Sequence, residues 1–335
     1  MNGKESTNHT NIGFALLRML MCFGVLLAHC WNKKGYDSIF FLPFREIQVL
    51  AAPVFMFLSF YFSYKTFVSK DKDRFLKRMK RLLLPQIGWT FIYWILFQFI
   101  ENVPFSELLW QLFTGHSTVL NATMWFQIEL IVITILFHLL FSMLDEKKAI
   151  SVLYLLMFLC FILQFSKVNL FLFDDLRFEL KYPLGRFAEM LPYAISGFFF
   201  SYYKIMNKLK QHRLLAALVS LFLLPLPYLI DFPVVKGFGY SGVTIFYLSI
   251  LMIIFVEMLP FDLLHPTIKK AAILISSYTP GIYCCHRLIF AFLSHFFPAF
   301  AFSSFAGCIF LYLICYIICL MIFQVPNRYI KILVS

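Results

Sequence analysis

Residues 12–31 read IGFALLRMLMCFGVLLAHCW, an apolar run that holds two ionisable side chains, Arg18 and His29. The hydrocarbon core of a bilayer, about 30 Å thick, needs about 20 apolar residues per helix, so this run predicts a transmembrane helix. The rest of the chain has the same character, since 61% of its 335 residues are apolar and 14% are charged. Soluble proteins have about 45–50% and about 25%. The composition therefore excludes a soluble globular domain, a disordered chain, a collagen and a coiled coil.

Nine further apolar runs are long enough to cross a membrane as helices. None shows the alternation of apolar and polar residues over about ten positions that is typical of an outer-membrane barrel strand. Together with the first run they predict an all-α, polytopic membrane helix bundle of about ten transmembrane helices. Residues 1–335 are expected to form a single membrane domain with no soluble domain appended. The nine runs are 44–66, 82–100, 122–142, 149–166, 185–203, 213–231, 240–258, 272–293 and 302–324.

Basic residues set the expected orientation. The segment 65–81, KTFVSKDKDRFLKRMKR, holds eight Lys and Arg residues, and 19 of the 29 in the chain are expected on the same side as both termini. Cytoplasmic loops carry this excess, so both termini are predicted to be cytoplasmic. The net charge of +12 then indicates contact with membrane lipids rather than with nucleic acid. The eight Cys lie in apolar runs without zinc-ligand spacing, which predicts reduced, buried thiols and no metal site.

Arg18 and His29 are predicted to lie on one face of the first helix. Their separation of eleven residues is close to three full turns and corresponds to about 16 Å along the axis. Such a stripe suits a ligand that is anionic at its cytoplasmic end and reactive deeper in the membrane. In the alternative interpretation, Arg18 extends its charge to the inner interface and His29 is hydrogen-bonded near the outer one.

Two other ionisable residues are predicted at the depth of His29. Glu129 lies in the fourth run and His286 in the ninth, both in the outer half of the membrane. A histidine with a carboxylate or a second histidine can form a base and its orienting partner. Residues at matched depth can also lie on opposite sides of a bundle, so contact with His29 is a hypothesis.

Three arginines of the basic segment fall on one helical face, because Arg74, Arg78 and Arg81 follow the spacing i, i+4, i+7. Arginine binds phosphate groups in a bidentate manner, which favours a phosphate site at the inner surface. Attraction to anionic lipid head groups is the alternative.

Six short motifs, taken in order, resemble the acyltransferase-3 family of multi-span membrane acyltransferases. Phe60 stands where that family has a glycine, and Glu129 matches none of its signatures. The motifs extend from the first helix to about residue 290. They are Arg18-x10-His29, Pro53-Val-Phe-Met-Phe-Leu-Ser59-Phe-Tyr61, Arg74-Phe-Leu-Lys-Arg78-Met-Lys-Arg81-Leu-Leu-Leu-Pro85, Met124-Trp125-Phe126, Leu191-Pro192-Tyr193 with Gly197, and Ile282-Tyr283-Cys-Cys-His286.

This resemblance implies transfer of an acyl group, usually acetyl from acetyl-CoA, to a hydroxyl of a cell-surface or extracytoplasmic glycan or lipid-linked glycan. The expected location is a bacterial plasma (inner) membrane. The expected catalytic residues are His29, Arg18, Glu129 and His286, with His29 as general base. Arg74, Arg78 and Arg81 are expected to bind the CoA phosphates. All four catalytic candidates are expected to line one internal cavity, since ionisable groups facing lipid are costly.

A second class of function is also compatible with these charges. A polytopic flippase or transporter of lipid-linked glycan would use a basic cavity and charged residues near the midplane without performing chemistry. The ordered motifs and the lack of an evident inverted repeat favour the acyltransferase.

Overall fold

The computed structural model of the chain describes residues 12–32, 41–117, 124–166, 178–226, 243–298 and 301–334. Within these ranges the secondary structure is helical, without strands, so the predicted all-α class is confirmed. The first helices are α1 (Ile12–Cys30), α2 (Leu42–Val68), α3 (Lys72–Phe97), α4 (Phe105–Thr114), α5 (Trp125–Met143), α6 (Glu146–Ser166) and α7 (Phe178–Tyr202). The others are α8 (Ile205–Lys210), α9 (Arg213–Leu223), α10 (Val243–Met258), α11 (Pro266–Ser277), α12 (Thr279–Phe296), α13 (Phe305–Gln324) and α14 (Arg328–Ile332).

Five helical segments of the described chain are long and apolar enough to cross a membrane. They coincide with the first, second, fourth, eighth and tenth predicted spans, and they support a membrane protein. The ten crossings and the cytoplasmic placement of both termini stay predictions. The five segments are Ile12–Cys30, Pro43–Val68, Trp125–Met143, Val243–Leu263 and Phe305–Gln324.

The predicted span 272–293 is wrong as a single helix, because the chain breaks at Tyr278 between α11 and α12. Pro280 explains the break. Its ring would clash with the carbonyl of Ser276 in a continuous helix, and its nitrogen has no hydrogen to donate. Proline is favoured in the first turn of a helix, and there it begins α12.

The basic segment and the third predicted span form one helix, α3, which begins at Lys72 rather than at residue 82. The Asp71 side chain caps it by accepting hydrogen bonds from the backbone N–H groups of Asp73 and Arg74. A continuous helix therefore presents Arg78 and its neighbours on the face that meets α2 and α5.

Small residues allow the central helices to approach closely, as is common in membrane bundles. A Cβ atom at Gly197 of α7 would collide with the carbonyl oxygen of Phe57 in α2. A Cβ atom at Gly24 of α1 would lie 2.6 Å from the Ile47 carbonyl oxygen of α2. Phe60 fills its position as a buried core side chain, 4.7 Å from the Phe137 ring centre. The core therefore lies around α2, against which α1 and α7 both pack.

Candidate active site

A cavity of about 670 Å³ opens at the end of the bundle where α2 leads into α3. Helices α1, α2, α3, α5 and α12 contribute its walls. Among the described side chains that line it, five are basic and none is acidic, so the cavity, called here the basic cavity, favours an anionic ligand. The basic residues are Arg18, Arg74, Lys77, Arg78 and Arg81.

Arg78 is the most constrained of these residues. Its Nε donates to Thr134 Oγ1 at 3.2 Å and its Nη2 to Ser59 Oγ at 2.9 Å. Its Nη1 donates to the Ser59 carbonyl oxygen and to Ser63 Oγ. The guanidinium carbon also lies 5.3 Å from the Phe60 ring centre. Arg78 therefore joins α3 to α2 and α5, and most of its donors are already used.

The other basic side chains are more available to a ligand. Arg74 forms an ion pair with Asp71, with Nε 3.0 Å from Oδ2, whereas Lys77 and Arg81 are exposed at the cavity mouth. Arg18 lies deeper and donates through Nε to the Phe14 carbonyl oxygen of its own helix at 3.4 Å. Its terminal nitrogens donate to none of the described residues and are left for the cavity. The available basic groups are thus arranged from the mouth inward.

The break before α12 adds to the positive character of the basic cavity. Thr279 and Pro280, the first residues of α12, line the wall. The unpaired N–H groups at a helix N-terminus carry partial positive charge and bind anions. Broken helices supply such groups at depth in membrane proteins. The signal in the sequence was the Pro280-Gly281 pair inside an apolar run.

His29 lines a separate pocket of about 20 Å³. Its neighbours in the lining include Gln48 of α2 and Trp125 of α5. Three aromatic side chains line both this pocket and the basic cavity and so separate the two. These residues, called here the aromatic neck, are Phe55, Phe126 and Tyr283. Arg18 and His29 therefore face the same side of α1, one on each side of the neck.

His286 is the ring next to His29, with the ring centres 5.5 Å apart. His286 Nδ1 lies 2.7 Å from the Tyr283 carbonyl oxygen, which can only accept, so Nδ1 carries the hydrogen. Its Nε2 is buried and has no hydrogen-bond partner among the described residues. Two imidazoles joined by an N–H···N bond have ring centres about 5 Å apart. A small rotation of His29 would thus allow it to donate to His286.

Two contacts fix the helix ends around these histidines. Arg287 Nη1 donates to the His29 carbonyl oxygen at 2.7 Å and so binds the end of α1 to α12. The buried Tyr93 hydroxyl accepts from Leu288 N and donates to the Cys284 carbonyl oxygen. In a regular helix Leu288 N would donate directly to the Cys284 carbonyl oxygen. The Tyr93 hydroxyl is instead inserted between these two backbone groups of α12, next to His286. Sequence reasoning did not identify Tyr93, because its role depends on how α3 and α12 pack.

Glu129 lies in a different group of charges from His29. Its charged neighbours are Arg186 and Glu189, which pair with each other at 2.7 Å. The ionisable groups that interact electrostatically with His29 are His286 and Arg287. The Arg186 guanidinium lies 5.3 Å from the ring centre of Trp125, which also lines the His29 pocket. Trp125 is therefore a neighbour of both groups of charges.

The four residues expected in one cavity are thus distributed over several sites, because each helix presents its ionisable residue to a different neighbour. Arg18 lines the basic cavity, and His29 lines the pocket beyond the neck. Glu129 and His286 line neither of these two. The structure brings His29 and His286 together and places Glu129 with Arg186.

The profile of the acyltransferase-3 family, described as an acyltransferase domain, matches residues 11–324, nearly the whole chain. No curated protein and no solved structure matches the chain. The matched region contains the residues that line both cavities, including the Arg18 and His29 pair of α1. The chain therefore belongs to the acyltransferase-3 family of membrane acyltransferases.

Proposed function

We propose that this membrane acyltransferase transfers acetyl groups from cytoplasmic acetyl-CoA to a hydroxyl of a cell-surface or extracytoplasmic polysaccharide, free or lipid-linked. Its proposed location is the plasma membrane of a bacterium, with both termini in the cytoplasm. The observation that carries the proposal is the basic cavity that adjoins, across the aromatic neck, the pocket of His29.

The shape and charge of the two cavities suit CoA. A volume of about 670 Å³ is typical of small-molecule sites. Arg18, Lys77 and Arg81 would hold the phosphates, supported by the N-terminus of α12. The pantetheine arm would pass the aromatic neck and bring the thioester to His29. The rise of about 16 Å from Arg18 to His29 is of the order that this arm spans.

His29 supplies the chemistry in this proposal. Imidazole is the usual general base near neutral pH. His29 would take the proton of the acceptor hydroxyl, while His286 Nε2 accepts a hydrogen bond from the other ring nitrogen and sets the tautomer. Glu129, Arg186 and Trp125 lie beside the pocket and would contact the acceptor rather than the base.

The exposed mouth of the basic cavity gives the first prediction. Replacing Arg81 by alanine should raise the KM for acetyl-CoA about tenfold, since one charge-assisted hydrogen bond is lost. The melting temperature should not change, because the side chain is exposed. Lys80→Ala is the matched control, since Lys80 is exposed on α3 but points to the Tyr329 ring, 5.5 Å away. An equal rise in KM for both variants would show that the helix attracts the donor only through its overall charge.

The size of the His29 pocket gives the second prediction. A free volume of only about 20 Å³ favours a short acyl group over a longer one. Replacing the half-buried Phe55 by alanine should widen the neck and increase transfer from butyryl-CoA relative to acetyl-CoA about tenfold. The comparison is the ratio of kcat/KM for the two donors in wild type and variant. An unchanged ratio would show that Phe55 does not limit acyl length.

Turnover by the purified chain tests the proposal as a whole. The full-length protein in lipid vesicles, supplied with acetyl-CoA and surface glycan extracted from cells lacking the gene, should release free CoA and acetylate the glycan. The His29→Ala protein is the control. Glycan movement across the vesicle membrane without acetylation would instead support the flippase.

A further inference from the structure

A buried amide lies beside His29 and has no partner. Gln48 of α2 lines the His29 pocket and is 5% exposed. Its Nε2 is buried and donates to none of the described residues. Nearly all buried polar groups are hydrogen-bonded, because an unsatisfied donor lowers stability. Retention of this amide in an apolar pocket therefore points to a ligand that completes it.

The backbone of α2 at Gln48 lies close to α1. A side chain at Gly24 would lie 2.6 Å from the Ile47 carbonyl oxygen and 3.5 Å from Gln48 N. Because Gly24 has no side chain, α2 can approach α1 closely at this point, which is about one and a half helical turns from His29. Gln48 and His29 consequently share a pocket with room for about one small group.

We propose that the Gln48 side-chain amide donates a hydrogen bond to the acyl carbonyl oxygen as negative charge develops on it. This inference rests on the proposed acyl transfer and assigns the oxyanion donor that the reaction requires. In acyl transfer, preorganised donors at that oxygen are usually the largest single contribution to catalysis. A buried, uncharged amide N–H suits this role, since none of the described side chains has to release it first.

The acceptor hydroxyl oxygen forms a bond to the thioester carbonyl carbon, and its proton passes to His29. The carbonyl electron pair moves to oxygen, where Gln48 donates its hydrogen bond. The carbonyl then re-forms, the carbon–sulfur bond breaks, and the sulfur takes the proton from His29. The products are the ester and free CoA, with His29 returned to its neutral form.

Replacement of Gln48 by methionine tests the proposal, because methionine keeps the length of the side chain and removes the amide. The assay uses the full-length chain in lipid vesicles, with acetyl-CoA as donor and surface glycan from cells lacking the gene as acceptor. We expect kcat to fall about 10²–10³-fold with the KM for acetyl-CoA nearly unchanged. The melting temperature should stay the same or rise, since an unsatisfied buried donor has been removed.

Gln111→Met is the matched control. Gln111 of α4 is fully buried, its Nε2 and Oε1 have no partner among the described residues, and it lines neither cavity. Its replacement should leave kcat unchanged. Gln48→Leu, which has no N–H donor, should lose kcat as the methionine variant does.

Three results would overturn the assignment. A kcat within about threefold of wild type in both Gln48 variants would exclude an oxyanion donor of normal strength. A rise in the acceptor KM with kcat preserved would make Gln48 an acceptor-binding residue. A parallel loss of kcat and melting temperature in both variants would make it structural. If the wild-type protein itself transfers no acetyl group, the proposed function fails rather than the role of Gln48.

Discussion

Replacing His29 by alanine is expected to reduce kcat for acetyl transfer by about 10²–10⁴-fold, the usual contribution of a general base. The fold should survive, because the His29 side chain donates no hydrogen bond to the described residues and lies against the ring of His286. The contact that binds the end of α1 to α12 uses the main-chain carbonyl of His29, which alanine retains. Initial rates and thermal unfolding of the purified protein measure the two quantities.

His138→Ala is the control for this variant. His138 is a second histidine within a transmembrane segment, stacked on Phe75 with ring centres 3.7 Å apart and outside both cavities. Its loss should leave kcat unchanged. Retention of more than about half of the wild-type rate by His29→Ala would remove His29 from the mechanism, since a general base contributes far more.

Replacing Arg78 by alanine is expected to lower both stability and activity, in contrast to Arg81. The change would leave Ser59, Ser63 and Thr134 without the donor that joins α2, α3 and α5. Each buried polar group left unsatisfied costs about 1–3 kcal/mol, so a melting temperature lower by several degrees is expected. Arg78→Lys should recover little, because an ammonium cannot reach three helices in the planar geometry of a guanidinium.

The two arginines of one motif are thus expected to differ in role: Arg81 binds the donor, whereas Arg78 holds α2, α3 and α5 together. Thermal unfolding and the KM for acetyl-CoA, measured on Arg78→Ala and Arg81→Ala in parallel, check the difference. If Arg78→Ala keeps the wild-type melting temperature and raises only the donor KM, then Arg78 binds phosphate directly and its contacts to α2 and α5 are incidental.

Local composition was enough to predict the long apolar helices. The first predicted span, 12–31, corresponds to α1, and the second, 44–66, lies within α2. Uninterrupted apolar runs of this length have few alternatives in a membrane. The fourth span, 122–142, begins outside the described residues and otherwise corresponds to α5.

The errors in the fold arose where local signals compete. Pro280 breaks the ninth span, although the residues on both sides are apolar enough to continue it. The spacing of Arg74, Arg78 and Arg81 indicated a helical face in the charged segment before residue 82. It did not indicate that this helix is continuous with the third span, with Asp71 as its cap and with Arg78 satisfied by neighbouring helices. Hydropathy alone contains neither the cap nor the tertiary partner.

The site was predictable along each helix but not between helices. The eleven-residue spacing placed Arg18 and His29 on one face of α1 without knowledge of any neighbour. Matched depth suggested both Glu129 and His286 as partners of His29, and the structure places one of them beside it. The difference lies in helix rotation, which packing contacts such as Gly24 on Ile47 determine and which one sequence does not reveal.

Mass spectrometry of surface glycans tests the central claim most directly. Three strains are compared: one lacking the gene, one expressing the wild-type chain and one expressing His29→Ala at the same level in the membrane. The account predicts glycan with additional acetyl groups in the wild-type strain alone, and equal amounts of surface glycan in all three. Acetylation that is identical in the wild-type and His29→Ala strains, or a change in glycan amount without acetylation, would contradict it.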